Sequence, residues 1–212
     1  MPQSGTIFPK QSIPNAIIMK ITVITGSPRK DGTTSLLAEE FIRGAKEAGH
    51  DVFRFDAAFE KVAPCIACDR CQADGAKCVQ NDSMETLNPE LLEAGYIVFI
   101  TPLYYFGMSA QLKLAIDRFY ANSSKLENNK KTILLAAAHD DEDWTMQALV
   151  ENYKAIIRYM KWEDKGIFWR PVAALEAILK KRVTRHRHTK WARHYSSTNN
   201  IGTMSSTPLF HE

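Results

Sequence analysis

The chain has 212 residues, of which 45% are apolar and 24% charged. These proportions fit one globular domain with a small appendage, and they exclude collagen, coiled coil and full-length disorder. The net charge of +3 hides an asymmetry: residues 176–212 hold seven Lys or Arg and two acids, whereas the other 175 residues hold 20 basic and 22 acidic side chains. A near-neutral body gives no electrostatic reason to expect nucleic acid as its main partner.

The elements alternate. Residues 1–18 read as an extension without the apolar stretch of a secretory leader. Ile21–Thr25 is a short β-branched run, long enough for a buried strand. After the turn 26–33, Leu37, Phe41, Ile42 and Ala45 recur at helical spacing until Gly49. Asp51–Phe55 is a second strand. A cysteine loop spans 60–82. A helix fills 83–94, with Asn88–Pro89 expected at the cap and first turn of its main part. Strands at 96–101, 131–138 and 166–169 alternate with helices at 110–120 and 143–160. Such alternation predicts a parallel sheet covered on both faces, with ligands outside the carboxyl ends of the strands. The loops to inspect are therefore 26–33, 102–109 and 139–143. No run of about 18 apolar residues is present, so no membrane span is expected.

Gly26-Ser27-Pro28-Arg29-Lys30-Asp31-Gly32-Thr33-Thr34-Ser35 joins the first strand to the first helix. A helix N-terminus offers unpaired N–H groups and partial positive charge, and four hydroxyls with one guanidinium add donors. The loop matches neither the Walker A pattern nor Gly-x-Gly-x-x-Gly, so a phosphate monoester suits it better than a dinucleotide. Helix capping by Ser and Thr is the plainer explanation, but it accounts for one hydroxyl, not four with an arginine. The second loop carries Tyr104, Tyr105 and Phe106, against which a planar heterocycle can stack, and Gly107 would admit a close backbone approach. Packing in a core or a subunit interface is the plainer use of these rings.

All four cysteines lie in one loop, Cys65, Cys68, Cys71 and Cys78, spaced C-x2-C-x2-C-x6-C. Clustering of this kind points to metal or redox chemistry in a reducing, cytoplasmic setting rather than to a disulfide scaffold. Three thiolates so close in sequence can converge on one centre and a fourth can close it. An iron–sulfur cluster, zinc and metal-free thiols all remain open.

Met19–Thr34, Thr101–Arg118 and the intervening cysteine loop resemble the NAD(P)H-dependent FMN reductase branch of the flavodoxin-like superfamily, in particular its iron–sulfur flavoprotein type. The resemblance covers about residues 19–170. It implies an α/β fold with a doubly wound, five-stranded parallel sheet in flavodoxin order, three layers thick. It further implies FMN as cofactor, NAD(P)H as co-substrate and a homodimer or tetramer. By resemblance, Ser27, Arg29, Thr33, Thr34 and Ser35 would hold the FMN phosphate. Pro102, Leu103, Tyr104, Tyr105, Phe106 and Gly107 would line the ribityl chain and ring, and Ala138-His139-Asp140 would approach from another side. The four cysteines would carry a 4Fe–4S cluster, although loops of the same kind in this family also occur without one. The expected activity is transfer of electrons from NAD(P)H to a small acceptor such as a quinone, flavin or nitroaromatic, with no side chain required as acid or base. The alternatives are an electron carrier exchanging with a ferredoxin-like protein, and a thiol redox sensor. On this reading the FMN-binding domain spans 19–179. Residues 180–212, basic and holding four of the six histidines, form a tail unlike the family's last helix.

Overall fold

In the computed structural model, residues 17–73 and 77–175 are described, so residues 1–16 of the 1–18 extension and the whole tail 180–212 lie outside the described residues. Five strands, β1 (Lys20–Thr25), β2 (Asp51–Asp56), β3 (Tyr96–Tyr104), β5 (Lys131–Ala138) and β6 (Glu163–Pro171), pair in parallel in the order β2-β1-β3-β5-β6. This is the flavodoxin order expected from the sequence. One element was not anticipated: a two-residue strand β4 (Gly107–Met108) folds back antiparallel on β3.

Alternate residues of each strand face opposite layers, and the two cores follow that alternation. Ile21, Val23, Val98, Ile100, Ile133 and Leu135 pack with Ala38, Phe41 and Ala45 of α1 (Thr33–Glu47). On the other face Ile24, Ile97, Phe99, Leu134 and Ala136 meet α2 (Met84–Glu93), α3 (Ala110–Asp117) and α5 (Gln147–Met160) through Leu87, Leu91, Leu112, Ile116, Leu149 and Ile157. The central strands are buried on both faces, which is why they read as continuous apolar runs rather than as alternating ones. After β6, residues 172–175 are helical, and Leu175 is buried against Ala137 near Leu36 and Leu37 of α1.

Three elements differ from the sequence expectation. The helix expected over 110–120 ends at Asp117 and tightens into a 3₁₀ segment over Arg118–Asn122, before the one-turn α4 (Ser123–Leu126). The helix expected over 143–160 opens with a 3₁₀ turn, Asp143–Met146, and becomes α-helical only at Gln147. In α2, Pro89 is not in the first turn but inside the helix. The start of α2 lies further upstream because Asp82 accepts a hydrogen bond from the Met84 N–H at 3.0 Å.

Candidate functional site

The sheet order reverses between β1 and β3, and the Gly26 N–H donates to the Ile100 carbonyl at 2.9 Å across that switch point. The crevice outside the carboxyl ends of these strands is where an open α/β sheet binds ligands.

The loop after β1 is curled by Ser27. Its buried hydroxyl accepts from the Arg29 N–H at 3.2 Å and lies 3.3 Å from the Arg29 carbonyl. Thr33 and Thr34 open α1, yet its N-cap is Gly32 and no side chain caps it. Capping therefore does not explain the hydroxyls. Among the described residues neither Thr33 nor Thr34 has a side-chain hydrogen bond, and the exposed Arg29 guanidinium has no ion pair. Free first-turn N–H groups, two free hydroxyls and a guanidinium suit a phosphate dianion.

Ser35 differs from its neighbours, because its hydroxyl accepts from the Arg54 Nη2 of β2 at 3.1 Å. Arg54 also donates through Nε to Asp56 at 2.8 Å, and Asp56 accepts from the Thr25 hydroxyl at 2.7 Å. The sequence reading missed Arg54 and Asp56. Their signal was there: positions 52, 54 and 56 share the face of edge strand β2 that carries Val52 into the α1-side core.

The second loop is shorter than expected, because β3 runs on to Tyr104. Pro102 is in register with Ala137 of β5, and Leu103 faces Met108. Leu103 and Met108 are partly buried and pack on the core. Tyr105 and Phe106 form the turn of the β3–β4 hairpin with φ of 44° and 62°. A two-residue hairpin of the favoured twist demands positive φ at both central positions, and aromatic residues pay for that in strain. Gly107 has no such demand, since a Cβ there would meet only the Tyr104 carbonyl at 3.9 Å. Tyr104, Tyr105 and Phe106 are all exposed, Tyr105 completely.

In the third loop His139 and Asp140 are exposed. The residue that reaches the second loop is Trp144, whose ring centroid lies 5.0 Å from that of Phe106. Sequence periodicity assigned Trp144 to a helix, and its place just past the 139–143 loop that leaves β5 was the available signal.

The cysteine loop leaves the carboxyl end of β2. Cys65 and Cys68 are exposed, Cys71 and Cys78 half-buried, and all are free thiols. Among the described residues no three His, Cys, Asp or Glu side chains gather as a metal-ligand set. The loop is nevertheless firmly anchored. Arg118 and Asp82 form an ion pair at 2.6 Å with side chains only 2% and 3% exposed. Arg118 also donates to the Ala63 carbonyl at 2.8 Å, and Asp82 accepts from the Ala63 N–H at 2.9 Å. Burial pushes the Asp82 carboxyl up, but the Arg118 guanidinium and the Ala63 and Met84 N–H groups outweigh it and hold it below its usual range. A second anchor joins Tyr120, which donates to Asp69 at 3.0 Å, and Gln72, which donates to the Tyr120 carbonyl at 2.7 Å.

An open parallel sheet of this order, with a phosphate-type loop at its switch point and an aromatic hairpin beside it, defines the flavodoxin-like class. The chain belongs to the NADPH-dependent FMN reductase family, whose match spans residues 19–162. An iron–sulfur flavoprotein of Methanocaldococcus jannaschii is 37% identical over 100 residues, which cover 47% of this chain and 51% of that protein. A Bacillus subtilis protein assigned as an NAD(P)H-dependent FMN-containing oxidoreductase is 28% identical over 159 residues, covering 70% of this chain and 82% of it. The chain thus spans about half the length of the first iron–sulfur relatives and most of the Bacillus protein. Among solved structures, an NAD(P)H:quinone oxidoreductase from Methanothermobacter marburgensis superposes with a TM-score of 0.58 at 18% identity, covering 82% of this chain and 99% of that one. No helix among the described residues is long and apolar enough to cross a membrane.

Proposed function

We propose that this chain is an FMN-dependent oxidoreductase that passes electrons from NAD(P)H to a small acceptor. The observation that carries the reading is the uncapped start of α1, where, among the described residues, the side chains of Thr33, Thr34 and Arg29 have no protein partner at the switch point of the sheet. The donor set fits the FMN phosphate. FMN, when bound, supplies the hydride-accepting and electron-donating chemistry. The protein's part is to bind and orient: Arg29, Thr33 and Thr34 hold the phosphate, Ser27 shapes the loop around it, and Tyr104 to Phe106 border the ring. Family membership and the Bacillus relative support the same assignment.

The test is titration of the apoprotein with FMN and with riboflavin, followed by addition of NADPH or NADH. Tight FMN binding, weaker riboflavin binding and bleaching by a pyridine nucleotide are expected. Equal affinity for the two flavins would remove the phosphate reading. Arg29→Ala should weaken FMN by about tenfold or more, the loss of a charge-assisted hydrogen bond, while riboflavin stays within about twofold.

Arg54 should act on the same contact from behind. Because the Ser35 hydroxyl accepts from Arg54, its own proton is left to donate elsewhere, toward the phosphate. Arg54→Ala should weaken FMN by about threefold to tenfold and leave riboflavin unchanged, as calorimetric titration would show. Equal losses for both ligands would mean general damage to the loop.

A second reading, an electron carrier with an iron–sulfur cluster, draws on the named relatives and on the compact cysteine spacing. Among the described residues the four thiols do not gather into a ligand set. An iron and sulfide assay on anaerobically purified protein decides between the two.

A further inference from the structure

The cysteine loop is tied at two points and loose between them. At one end Ala63 is held by Arg118 and Asp82, and the Pro64 carbonyl accepts from the Gln80 Nε2 at 2.9 Å. At the other end Asp69 accepts from the Tyr120 hydroxyl, and Gln72 donates to the Tyr120 carbonyl. Arg118 and Tyr120 belong to the same short 3₁₀ segment, so both ties end on one element. Among the described residues, none of residues 65–68 makes a hydrogen bond; all four are exposed, and they form no turn or bend. Ala67 holds φ at 52° there, a left-handed conformation that alanine avoids, with no hydrogen bond to fix it. Cys65 and Cys68 flank it and are exposed, whereas Cys71 and Cys78 are half-buried.

The 3₁₀ segment continues directly from α3, and the other end of α3 stands at the switch point of the sheet. Ser109 caps that end, and Ser109 and Leu112 lie so close to Gly26 that a Cβ there would overlap both. The helix is thus a rod of 8 residues with the cysteine loop at its carboxyl end and the loop after β1 at its amino end.

We propose that Cys65 and Cys68 are a dithiol that small hydroperoxides oxidise to a disulfide, and that closing this disulfide lowers the affinity for FMN by pulling on α3. The coupling to FMN rests on the reading above; the disulfide does not. The chemistry has two steps. One thiol attacks the hydroperoxide, the O–O bond breaks, and a sulfenic acid and an alcohol (water, from hydrogen peroxide) are formed. The second thiol then displaces water from that sulfur and the S–S bond forms. Two electrons pass from the sulfurs to the peroxide oxygens, and the thiol protons leave in the products. A disulfide needs its Cα atoms about 4.4–6.8 Å apart. The turnless stretch 65–68 must therefore bend to close it, and nothing within the stretch resists. Its two ends are tied, so the shortening loads Arg118 and Tyr120 together and is passed to α3. Because α3 packs on Gly26, the loop that opens onto the phosphate site moves with it. Such coupling is reciprocal: bound FMN must slow the closing of the disulfide or disfavour it by the same factor as the disulfide weakens FMN.

The experiment uses the full chain, purified anaerobically, stripped of FMN and treated or not with hydrogen peroxide. Free thiols are alkylated, and the protein is cut with trypsin. Cleavage after Lys61 and Arg70 gives a peptide 62–70 that holds Cys65 and Cys68 and neither of the other two thiols. After peroxide this peptide should be lighter by two hydrogen atoms and carry no alkyl group, and dithiothreitol should reverse the change. Calorimetric titration should show FMN bound about fivefold more weakly by the oxidised protein, with recovery after dithiothreitol. In Cys65→Ser the internal disulfide should be absent and FMN affinity should stay within about twofold across the treatment. In Tyr120→Phe, which removes only the exposed tie to Asp69, the disulfide should still form while the FMN response shrinks to within about twofold. A peptide 62–70 that keeps both thiols, or a disulfide through Cys71 or Cys78, overturns the pairing. A disulfide in 62–70 with unchanged FMN affinity, or an undiminished response in Tyr120→Phe, overturns the coupling through α3. Iron and sulfide filling the loop in the anaerobic protein overturns the whole proposal. Absence of FMN binding to the reduced protein removes the underlying reading and the coupling with it; the peptide map, which needs no flavin, separates that result from a loop that does not oxidise.

Discussion

Replacing Arg118 with leucine should lower the unfolding free energy by about 3–5 kcal/mol, because it leaves the Asp82 carboxylate buried without its cation. The pair is almost fully enclosed, with side chains 2% and 3% exposed. Attraction at a protein surface would contribute little, but here each partner alone is costly. Asp82 would keep the N–H groups of Ala63 and Met84 as donors, so it would not be entirely orphaned. Urea denaturation should place Arg118→Leu and Asp82→Leu well below wild type. The double leucine variant should recover part of the loss, short of complete recovery because the Ala63 carbonyl and N–H lose their partners. If the double variant is as damaged as the sum of the singles, the charge pairing is not the source.

The same pair fixes a pH dependence. The folded Asp82 carboxyl lies below its ordinary value, so its contribution is fully present above the unfolded value near pH 4. It is lost as pH falls through the depressed folded value. In Arg118→Leu the carboxylate has no cation, and protonation relieves it. The stability gap between wild type and Arg118→Leu should therefore be widest near neutral pH and shrink below about pH 4. The cysteine loop should loosen in step, since Arg118 holds its Ala63 end. Thiol labelling of the half-buried Cys78 should accelerate in the variant, whereas the already exposed Cys65 should change little.

How far these features could be read from the sequence follows the range of the interactions involved. The strands were legible because a parallel sheet buried on both faces needs continuous apolar runs, and Ile21–Thr25, Ile97–Thr101 and Thr132–Ala138 supply them. The Gly26–Ser35 loop was legible for a local reason, the succession of strand, hydroxyls and helix. Its capping explanation could be dismissed only once Gly32 was seen at the N-cap without a side-chain bond. Pro89 was misplaced because the start of α2 is set by Asp82, which in turn is held by Arg118, 36 residues away. Arg54 and Trp144 were missed for the same kind of reason. Each gains its meaning from a loop distant in sequence, Ser35 for Arg54 and Phe106 for Trp144. The cysteine spacing suggested convergence, but spacing constrains reach rather than direction, and the thiols as placed do not gather.

Gly26→Ala should destabilise the fold by about 3 kcal/mol or more and weaken FMN binding together with it. A Cβ at position 26 would lie 2.2 Å from the Ser109 Oγ, 2.7 Å from the Leu112 Cβ and 3.3 Å from the Leu112 backbone nitrogen. Neither neighbour can simply step aside. Ser109 is fully buried, caps α3 by accepting from the Leu112 N–H at 3.4 Å, and donates its own N–H to the Thr101 hydroxyl at 3.0 Å. Leu112 is fixed by the helix itself. Relief therefore requires α3 to move away from β1, which opens the switch point where the Gly26 N–H meets the Ile100 carbonyl. The cradle after β1 and the aromatic hairpin after β3 would separate, so both stability and flavin affinity report the same displacement. Gly49→Ala is the control. Its backbone φ is +89° with nothing within 4 Å of a Cβ, so it should cost about 1 kcal/mol of conformational strain and leave flavin affinity unchanged. Adding Ser109→Gly to Gly26→Ala removes the closest contact, and it should restore part of both losses. The 2.7 Å contact with Leu112 remains in that double variant, so recovery should stay incomplete. A Gly26→Ala protein with wild-type stability and wild-type FMN affinity would show that β1 and α3 are not packed as tightly as these distances require.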